Sequence, residues 1–331
     1  MSEEGAGPRR RVVVVGAAGK QGQEYLRLLP RDLVLAGVVD SDAGVRRIGA
    51  RHVVPSLHSV DAAVDRLDFD VAVVAVPHHA HVEVASTLLG AGKHVIKEKP
   101  LAVTAADAHR LVDLARRHEV TLCTTVQRSY RRALRHARAQ LPRIGAPYWF
   151  AYDHHAALPA PTSGWRSSGA AAGGGVLLDM GYHAVDVVRA FFGRPRSVGA
   201  SFAYCYDAMR EQCLEDLANV TLTYPDGRLT GSVTVSRHHY RKHERFEVLG
   251  SAGGLLVEPE RVVRFARDGT VVDALDVRAE PVADVARMLA DYTRRLDDPA
   301  FREAHMRAHL DTVAIIEAAY GLTPRRAGPA G

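Results

Sequence analysis

The first 130 residues predict an α/β fold with a parallel, doubly wound sheet. The opening strand is the run RVVVVG at 11–16, whose continuous β-branched residues are typical of a strand covered on both faces. A helical stretch to Leu29 follows, and further strands are predicted at 33–40 and 70–76. Because helical segments separate the strands, we expect right-handed crossovers and parallel strands.

The alternation of strand and helix continues along the chain. Helices are predicted over 79–91 and 104–118, and a strand ends within the octet KHVIKEKP at 93–100. A further strand starts near Thr121 and is predicted to end at 127–128. Ligands of open α/β sheets bind at the carboxyl ends of the strands, so the Lys-Glu-Lys of the octet lies where chemistry is expected. The alternative is that these charges form only the solvated rim of the sheet.

The composition is that of an ordinary globular protein. With 331 residues, 47% hydrophobic and 24% charged, the chain has room for about two domains, each with its own core. No apolar run approaches the ~18 residues of a membrane helix, and the N-terminal MSEEGAGPRRR lacks the apolar core of an export signal. Three cysteines without CxxC spacing fit reduced thiols better than a disulfide frame or a zinc site. We therefore expect a cytoplasmic protein without a membrane partner.

The charge balance is mildly basic, with a formal net charge of +5 and a pI near 9.2. The basic residues are scattered, as at 9–11 and 325–326, and no helix-turn-helix pattern accompanies them. This distribution favours an acidic small ligand, or simply surface arginine, over a nucleic-acid partner.

The 17 histidines raise the question of a metal site. They cluster at 78–81, 154–155 and 238–243, but none of these clusters has the HExxH or Cys/His spacing of a defined site. Adjacent histidines on a strand point to opposite faces and rarely chelate one ion. No bound metal is predicted.

The first strand runs into the turn GAAGKQG at 16–22. Counted from Gly16 it departs from a strict GxGxxG motif, but counted from Ala17 it has the pattern small-x-Gly-x-x-Gly. Small residues between a first strand and a helix let backbone N–H groups approach a pyrophosphate at the helix N-terminus. The turn predicts a dinucleotide site whose residues are Gly16, Ala17, Ala18, Gly19, Lys20 and Gln21.

Asp40 ends the second strand, 21 residues past Gly19. A carboxylate at this position accepts hydrogen bonds from the adenosine ribose hydroxyls. The alternative role is the N-cap of a helix beginning near Ala43, which residue 41 or 42 could also provide. Because an acid here repels a 2′-phosphate, NAD(H) is favoured as the cofactor, while two arginines at 46–47 leave NADP(H) open.

The segment DVAVVAVPHHAHVEVASTLLGAGKHVIKEKPLAVT, at 70–104, resembles the glucose–fructose oxidoreductase/inositol dehydrogenase (Gfo/Idh/MocA) family of nicotinamide-dependent enzymes. The tripeptide EKP in this setting is the most specific mark of that family. The resemblance continues through GGGVLLDMGYHAVD at 173–186 and through strand-like segments at 214–236 and 246–258. It covers residues 10–322 without a large gap.

The resemblance implies two domains. A Rossmann domain is expected at 1–127, and an α/β domain with a large, mostly antiparallel open sheet at 128–331, where substrate binding and oligomerisation take place. A helix near 302–323 is expected to return and pack on the first domain. Alternating strands near 197–204 and 229–236 are expected to leave one apolar face uncovered, so we predict a homodimer or homotetramer through this sheet.

The resemblance also assigns catalytic roles. Asp179 and His183 lie one helical turn apart and can face one cleft, and the glycines at 173–175 let backbone pass close to a ligand. Lys99 would donate to the reacting oxygen, and His183 would take or return the hydroxyl proton. Asp179 would hold the imidazole or the ammonium in position. Which of Lys99 and His183 is the formal acid/base stays open. The alternative for Asp179 and His183 is a helix cap with a surface pair.

Further contacts are expected around these three residues. The family commonly has a cis peptide before the proline of EKP. The expected cofactor contacts beyond the glycine turn and Asp40 are Pro77, His78, Glu98, Lys99 and Arg166. The expected substrate contacts are Lys99, Gln127, Arg128, His154, Trp165, Asp179 and His183.

Together these residues predict an NAD(P)-dependent oxidoreductase that interconverts a secondary hydroxyl and a keto group on a sugar, nucleotide sugar, aminosugar or cyclitol. One alternative is a nicotinamide-binding sensor or scaffold without catalysis, and another is a reductase of an imine or conjugated ring. The presence of Lys99, Asp179 and His183 favours the enzyme. A cleft lined by His and Arg favours a small polyhydroxy substrate. The substrate itself and the physiological direction stay open.

The carboxylate of Asp40 leads to a prediction about cofactor choice. We expect the protein to bind NADH more tightly than NADPH, because a 2′-phosphate would meet a like charge. Dissociation constants for the two reduced cofactors, measured by nicotinamide fluorescence, check this. Tighter binding of NADPH would contradict the assignment and direct attention to the arginines at 46–47.

Overall fold

The computed structural model describes residues 9–161 and 163–322. The outer ends of the two predicted domains, 1–8 and 323–331, lie outside the described residues, as do the arginines at 325–326. The described chain divides into two compact units. The first runs to Ala102 and also includes Ala106–Thr125 and Val285–Arg307. The second consists of Val103–Ala105, Val126–Asp284 and the chain from Ala308 onward.

The first unit is built on a parallel sheet. The strands are β1 (Arg10–Val15), β2 (Leu33–Val39), β3 (Ser56–Leu57), β4 (Val71–Val74), β5 (His94–Lys97) and β6 (Leu122–Thr124). The helices between them are α1 (Lys20–Leu28), α2 (Val45–His52), α3 (Val60–Arg66), α4 (His81–Gly90) and α5 (Ala105–Arg117). The six strands pair in the order β3-β2-β1-β4-β5-β6, and every pairing is parallel.

Burial explains why the strands of this sheet lack an alternating pattern. The valines of β1 from Val12 to Val15 and all four residues of β4 are buried. A parallel sheet with helices on both faces exposes neither side of its central strands, which therefore consist of continuous apolar residues. The predicted doubly wound fold is confirmed.

Two predicted strand ends differ from the structure. β4 stops at Val74 rather than at residue 76, and a 3₁₀ turn over His78–Ala80 precedes α4. β6 stops at Thr124, so the prediction that this strand ends at residues 127 and 128 is wrong. The amide of Thr125 still donates to the carbonyl oxygen of Lys97 on β5. The chain then forms a 3₁₀ turn over Gln127–Tyr130. With no further strand to pair with, the chain leaves the sheet.

The second unit is built on an eight-stranded sheet. Its strands are β7 (Pro147–Ala157), β8 (Ser197–Ala203), β9 (Leu217–Thr223), β10 (Thr230–Ser236), β11 (His238–Gly250), β12 (Gly253–Glu258), β13 (Arg261–Ala266) and β14 (Val271–Asp276). They pair in the order β14-β13-β12-β11-β7-β10-β9-β8. Only β7 and β10 are parallel, so the expected large and mostly antiparallel sheet is confirmed.

Helices accompany both sheets in the remaining chain. They are α6 (Arg132–Gln140), α7 (Gly169–Ala172), α8 (Tyr182–Phe192), α9 (Asp207–Glu211), α10 (Pro281–Arg294) and α11 (Pro299–Gly321). Helix α8 covers one face of the eight-stranded sheet. The rings of Phe191 and Phe246 have centroids 5.0 Å apart, as have those of Phe192 and Phe150.

The opposite face of this sheet is more polar at its β8 end than the sequence analysis predicted. On β10 the residues that alternate with the buried ones are hydroxyl side chains, including Ser232 and Thr234. In β8 the corresponding positions include Ser197 and Ser201. The expectation that these two strands supply an apolar face is therefore wrong, because their apolar residues point to the side of the core. The oligomeric state stays a prediction.

Within 9–161 and 163–322, no helix is both long and apolar enough to cross a bilayer.

The histidines of the second unit include a stacked group. His155 stacks on His239 and on His243, with ring centroids 4.7 and 6.2 Å apart and nearly parallel planes. Stacked rings do not converge their nitrogens on one point, and the described residues contain no group of His, Cys, Asp and Glu that could hold a metal ion.

Candidate active site

The glycine turn after β1 owes its shape to two glycines. Gly16 has a φ of +79°, and a Cβ there would overlap the carbonyl oxygen of Ala75. A Cβ on Gly22 would overlap the carbonyl oxygen of Gly16. Gly19 instead caps α1 in an extended conformation. The first turn of α1 contains no acidic side chain, and no side chain caps it, so its N–H groups suit an anionic phosphate.

Asp40 is attached to this turn. Its Oδ2 accepts a hydrogen bond of 2.8 Å from the amide of Ala18, and its Oδ1 accepts one of 2.9 Å from the amide of Asp42. The alternative role as the cap of α2 does not apply, because that helix begins at Val45 after Gly44. A carboxylate has about four acceptor positions, so Asp40 keeps capacity for ribose hydroxyls. The turn and Asp40 therefore fit a dinucleotide.

The octet supplies the second group of candidate residues in the first unit. Lys97, the last residue of β5, is fully buried, and Lys99 is only 8% exposed. The solvated-rim alternative does not describe these two lysines. The peptide between Lys99 and Pro100 is cis. Glu98 accepts a hydrogen bond from Tyr25 on α1, and burial together with the charge of Glu98 raises the pKa of Tyr25 well above its usual value.

The loop after β4 adjoins the octet through a histidine. Pro77 and His78, both expected cofactor contacts, lie in this loop, and His78 is buried. The ring of His81 lies 2.9 Å from the carbonyl oxygen of Val76 and 3.2 Å from that of Pro100. Burial, followed by the charges of Lys97 and His78, lowers the pKa of His81 well below its usual value.

In the second unit, Asp179 is held by two arginines. Its Oδ2 accepts hydrogen bonds from Nη2 of Arg237 at 2.8 Å and from Nε of Arg166 at 3.2 Å. The guanidinium of Arg166 lies 4.1 Å from the centre of the Trp165 indole. The structure thus brings three predicted residues together and adds Arg237, which was not among the predicted site residues. Arg237 lies just after β10, and no local pattern marks it.

The segment carrying Asp179 begins irregularly. Leu177–Gly181 forms one π-helical turn, and α8 continues from it with His183 as its second residue. Ahead of this turn, a Cβ on Gly175 would overlap the backbone of Glu215, and one on Gly174 would crowd the hydroxyl of Tyr320. Gly174 and Gly175 therefore make room for the chain itself, and the close approach of a ligand to this run stays a prediction.

Glu215 fixes the start of the same segment. Its buried carboxylate accepts hydrogen bonds from the amides of Gly175 and Leu177, at 3.0 and 2.9 Å, and from the hydroxyl of Tyr320 at 2.8 Å. Burial raises the pKa of Glu215, although these donors oppose the shift. The carboxylate satisfies amides that the helix leaves without a backbone partner. Glu215 therefore positions the turn that carries Asp179.

Arg128 and His154 meet in a different, buried cluster of the second unit. Arg128 donates from Nε to Glu244 at 2.7 Å, and its Nη2 lies 3.0 Å from Nε2 of His154. Arg131 and Tyr152 also donate to Glu244, at 2.9 and 2.6 Å. Burial opposes ionisation of Glu244, but Arg128 and Arg131 hold its pKa well below the usual range. Burial and Arg128 lower the pKa of His154 to about 3.

Comparison with known proteins places this geometry in a wider context. Residues 10–126 match the model of the GFO/IDH/MocA oxidoreductase family with an NAD-binding Rossmann fold, and residues 135–256 match the C-terminal domain of the same family. A protein named dTDP-3,4-didehydro-2,6-dideoxy-alpha-D-glucose 3-reductase, from Saccharopolyspora spinosa, is 30% identical over 93% of this chain and 97% of its own length. A putative UDP-kanosamine synthase oxidoreductase subunit from Amycolatopsis mediterranei is 28% identical over 94% and 95%.

The fold has a close match among solved structures. An NAD-binding oxidoreductase from Klebsiella pneumoniae superimposes with a TM-score of 0.83, covering 97% of this chain and 98% of that one. The two sequences are 23% identical, so this likeness concerns the fold alone.

The buried cluster around Glu244 leads to a prediction about stability. Glu244→Gln should lower the free energy of unfolding by about 3–5 kcal/mol, because two arginines lose their counter-charge and Arg128 is buried. Glu247→Gln on the same strand is the matched control, since its pair with Arg245 is partly exposed and worth at most about 1 kcal/mol. Urea unfolding measures both. Equal losses for the two variants would contradict the prediction.

Proposed function

Since the chain belongs to the GFO/IDH/MocA oxidoreductase family, whose N-terminal domain is an NAD-binding Rossmann fold, we propose that it interconverts a secondary hydroxyl and a keto group on a nucleotide-linked sugar. The observation that carries this choice is the extent of the similarity. Two relatives that match over more than nine-tenths of this chain are named for sugars linked to UDP or dTDP. A free sugar or a cyclitol is the second candidate, because other relatives are named for anhydrofructose, levoglucosan and myo-inositol.

The first unit holds the cofactor in this proposal. Amides of the turn at 16–21 and the start of α1 bind the pyrophosphate, and Asp40 accepts from the adenosine ribose hydroxyls. Pro77, His78 and Glu98 border the nicotinamide ribose. When bound, the cofactor supplies or accepts the hydride. The glycines and Asp40 support this assignment, since their conformations and open acceptor positions suit such a ligand.

Lys99 is the proposed donor to the reacting oxygen. A hydride can leave a secondary carbinol only as its hydroxyl proton departs, so that oxygen needs a donor and a base. Lys99 is 8% exposed, and its charge therefore acts through little intervening water. In the reductive direction, its ammonium polarises the carbonyl, and in the oxidative direction it favours the alkoxide.

His183 and Asp179 complete the proposed chemistry. His183 takes or returns the hydroxyl proton, a role that imidazole often has in enzymes. Asp179 keeps its orientation because Arg166 and Arg237 both donate to the same oxygen. We assign its other oxygen, Oδ1, to orienting the imidazole of His183 or the ammonium of Lys99. Trp165, under the guanidinium of Arg166, offers a flat apolar surface to the sugar or the nicotinamide.

The cluster of Arg128 and His154 has a supporting role in this proposal. Both side chains are buried and bonded within the protein, so we assign them to holding the 3₁₀ turn over Gln127–Tyr130. Gln127, half-buried at the start of that turn, is then the residue of this segment that reaches the substrate.

The catalytic assignment is tested with two single variants and their double. Lys99→Ala and His183→Ala should each lower turnover by ~10²–10³ while leaving cofactor affinity nearly unchanged, since one preorganised donor has this effect. The double variant should be little worse than either, because groups acting on one oxygen do not add. Loss of His183 should also flatten the acidic limb of the pH–rate profile for oxidation.

Turnover is measured by reduced-nicotinamide absorbance on a panel of nucleotide sugars, free sugars and cyclitols. Lys242→Ala, at an exposed position of β11, is the control and should behave as wild type. If Lys99→Ala keeps more than about a third of wild-type turnover, against the large loss expected for a preorganised donor, the catalytic role of Lys99 is wrong.

A further inference from the structure

Lys97 is a buried charge that the proposed chemistry does not use. The chain has only five lysines, and three of them, Lys93, Lys97 and Lys99, belong to one octet. Lys97 is 0% exposed and ends β5, which lies between β4 and β6 in the sheet. Lysine is almost never fully buried unless its ammonium is paired. The position therefore needs a reason.

The ammonium of Lys97 is matched to its surroundings. Its Nζ donates to the carbonyl oxygens of Glu98 at 2.9 Å and of Leu101 at 3.1 Å, and also to that of Pro100. A charged lysine has three N–H donors and a neutral one has two. Three carbonyl acceptors therefore fit the charged form, and one of them would lose its donor if the proton left.

The same carbonyl groups belong to the turn that carries the proposed catalytic lysine. Residues 98–101 contain Lys99, and three of the four carbonyls in this stretch are held by Nζ of Lys97. His81 also reaches the Pro100 oxygen with one ring nitrogen and the Val76 oxygen with the other. A neutral imidazole has one N–H and can serve only one of these two carbonyls. The charged Lys97 thus donates to three carbonyls of the turn, whereas His81 reaches one of them.

We propose that Lys97 is a positioning residue whose charged ammonium fixes the turn 98–101, and with it the orientation of Lys99, so that turnover falls when Lys97 releases its proton. The proposal rests on the assigned function of Lys99. A side chain with the same bulk and no charge would fill the site but withdraw this donor from the carbonyls of Glu98, Pro100 and Leu101, which weakens the hold on the turn.

The electrostatic surroundings place this proton release near neutrality. Burial lowers the pKa of Lys97 to about 7; Glu98 opposes the shift and Lys99 adds to it. The other titratable groups on this side are His81, whose pKa Lys97 and His78 help to lower, and His78 itself. Lys97 is charged below this pKa and neutral above it. Activity that needs the charge is therefore full on the acidic side and lost as the pH rises.

The contribution of Lys97 to stability should change with pH in the direction opposite to turnover. The folded protein releases the Lys97 proton near pH 7, whereas the unfolded chain holds it to about pH 10.4. Between these values the unfolded state binds more protons, so the contribution of Lys97 to stability grows with pH, by up to about tenfold in the unfolding constant per pH unit.

The proton release is observed directly by NMR. In protein labelled with ¹³C-lysine, the five lysine side chains give few enough signals to assign, and Lys97→Met identifies the one of interest. We expect the Cε signal of Lys97 to titrate with a midpoint near 7. A signal that stays in the charged position up to pH 10, about the value of a free lysine, overturns the proposal.

Turnover and its pH profile complete the test. Lys97→Met should lower turnover ~10–100-fold at pH 6, as expected for a displaced catalytic group, with the substrate KM and the cofactor Kd near wild type. The alkaline limb with its midpoint near 7 should disappear from the profile of this variant. Lys93→Met is the control. Lys93 precedes β5, at the end of the strand away from Lys97, and its ammonium donates to the carbonyl oxygen of Phe69. If the turnover of wild type does not fall with pH through the midpoint at which the Cε signal of Lys97 titrates, the proposal is overturned.

A further measurement keeps this inference independent of the proposed substrate. If no member of the panel is turned over by wild type, the proposed function fails, but hydrogen exchange of the turn 98–101 still tests Lys97. Corrected for its intrinsic pH dependence, exchange there should quicken through the same midpoint in wild type and be fast at every pH in Lys97→Met. Exchange that is unchanged in the variant overturns the positioning role.

Discussion

Strand β5 lies between β4 and β6, and the chain that leaves it turns with the carbonyl groups of Pro100 and Leu101 buried. Backbone carbonyls away from water need donors. The turn after β5 obtains such donors from the side chain of Lys97, which belongs to the same octet, and His81 also reaches the Pro100 oxygen. The same ammonium responds to its neighbours, since the charge of Glu98 raises the pKa of Lys97 and that of Lys99 lowers it. The turn is thus organised around one ammonium group, and Lys97 and Lys99, which look exposed in the sequence, are buried.

The second unit follows a similar rule with the signs reversed. Each buried or half-buried carboxylate near the proposed site is matched by several donors: Asp179 by two guanidinium groups, and Glu215 by two amides and a hydroxyl. Glu244 holds Arg128 and Arg131 in the same way. A buried charge that lost its partners would destabilise the fold strongly. These carboxylates therefore hold their segments in one arrangement. The proposed catalytic pair requires this, because Asp179 lies on the turn before α8 and His183 lies on α8 itself.

Sequence patterns predicted what depends on near neighbours. The valine runs of β1 and β4, the glycine turn and the position of Asp40 follow from strand burial and turn sterics over short stretches, and they led to the right fold. Arg237, Glu215 and Tyr25 were missed because each meets its partner far along the chain, at separations of 58, 40 and 73 residues. No periodicity marks such contacts. The end of β6 and the polar face of β10 were mispredicted, since both depend on which strand lies alongside.

The central claim, that this chain moves a hydride to and from a sugar carbon, is tested most directly by following a deuterium atom. Reduced cofactor that carries deuterium at both hydrogens of position 4 of the nicotinamide ring is incubated with the protein and a keto nucleotide sugar, and the product is analysed by mass spectrometry and NMR. The account predicts a product that carries the label on the new carbinol carbon. The account would be contradicted if the protein binds the cofactor but transfers no deuterium to carbon in any member of a panel of keto nucleotide sugars, keto sugars and cyclitol ketones.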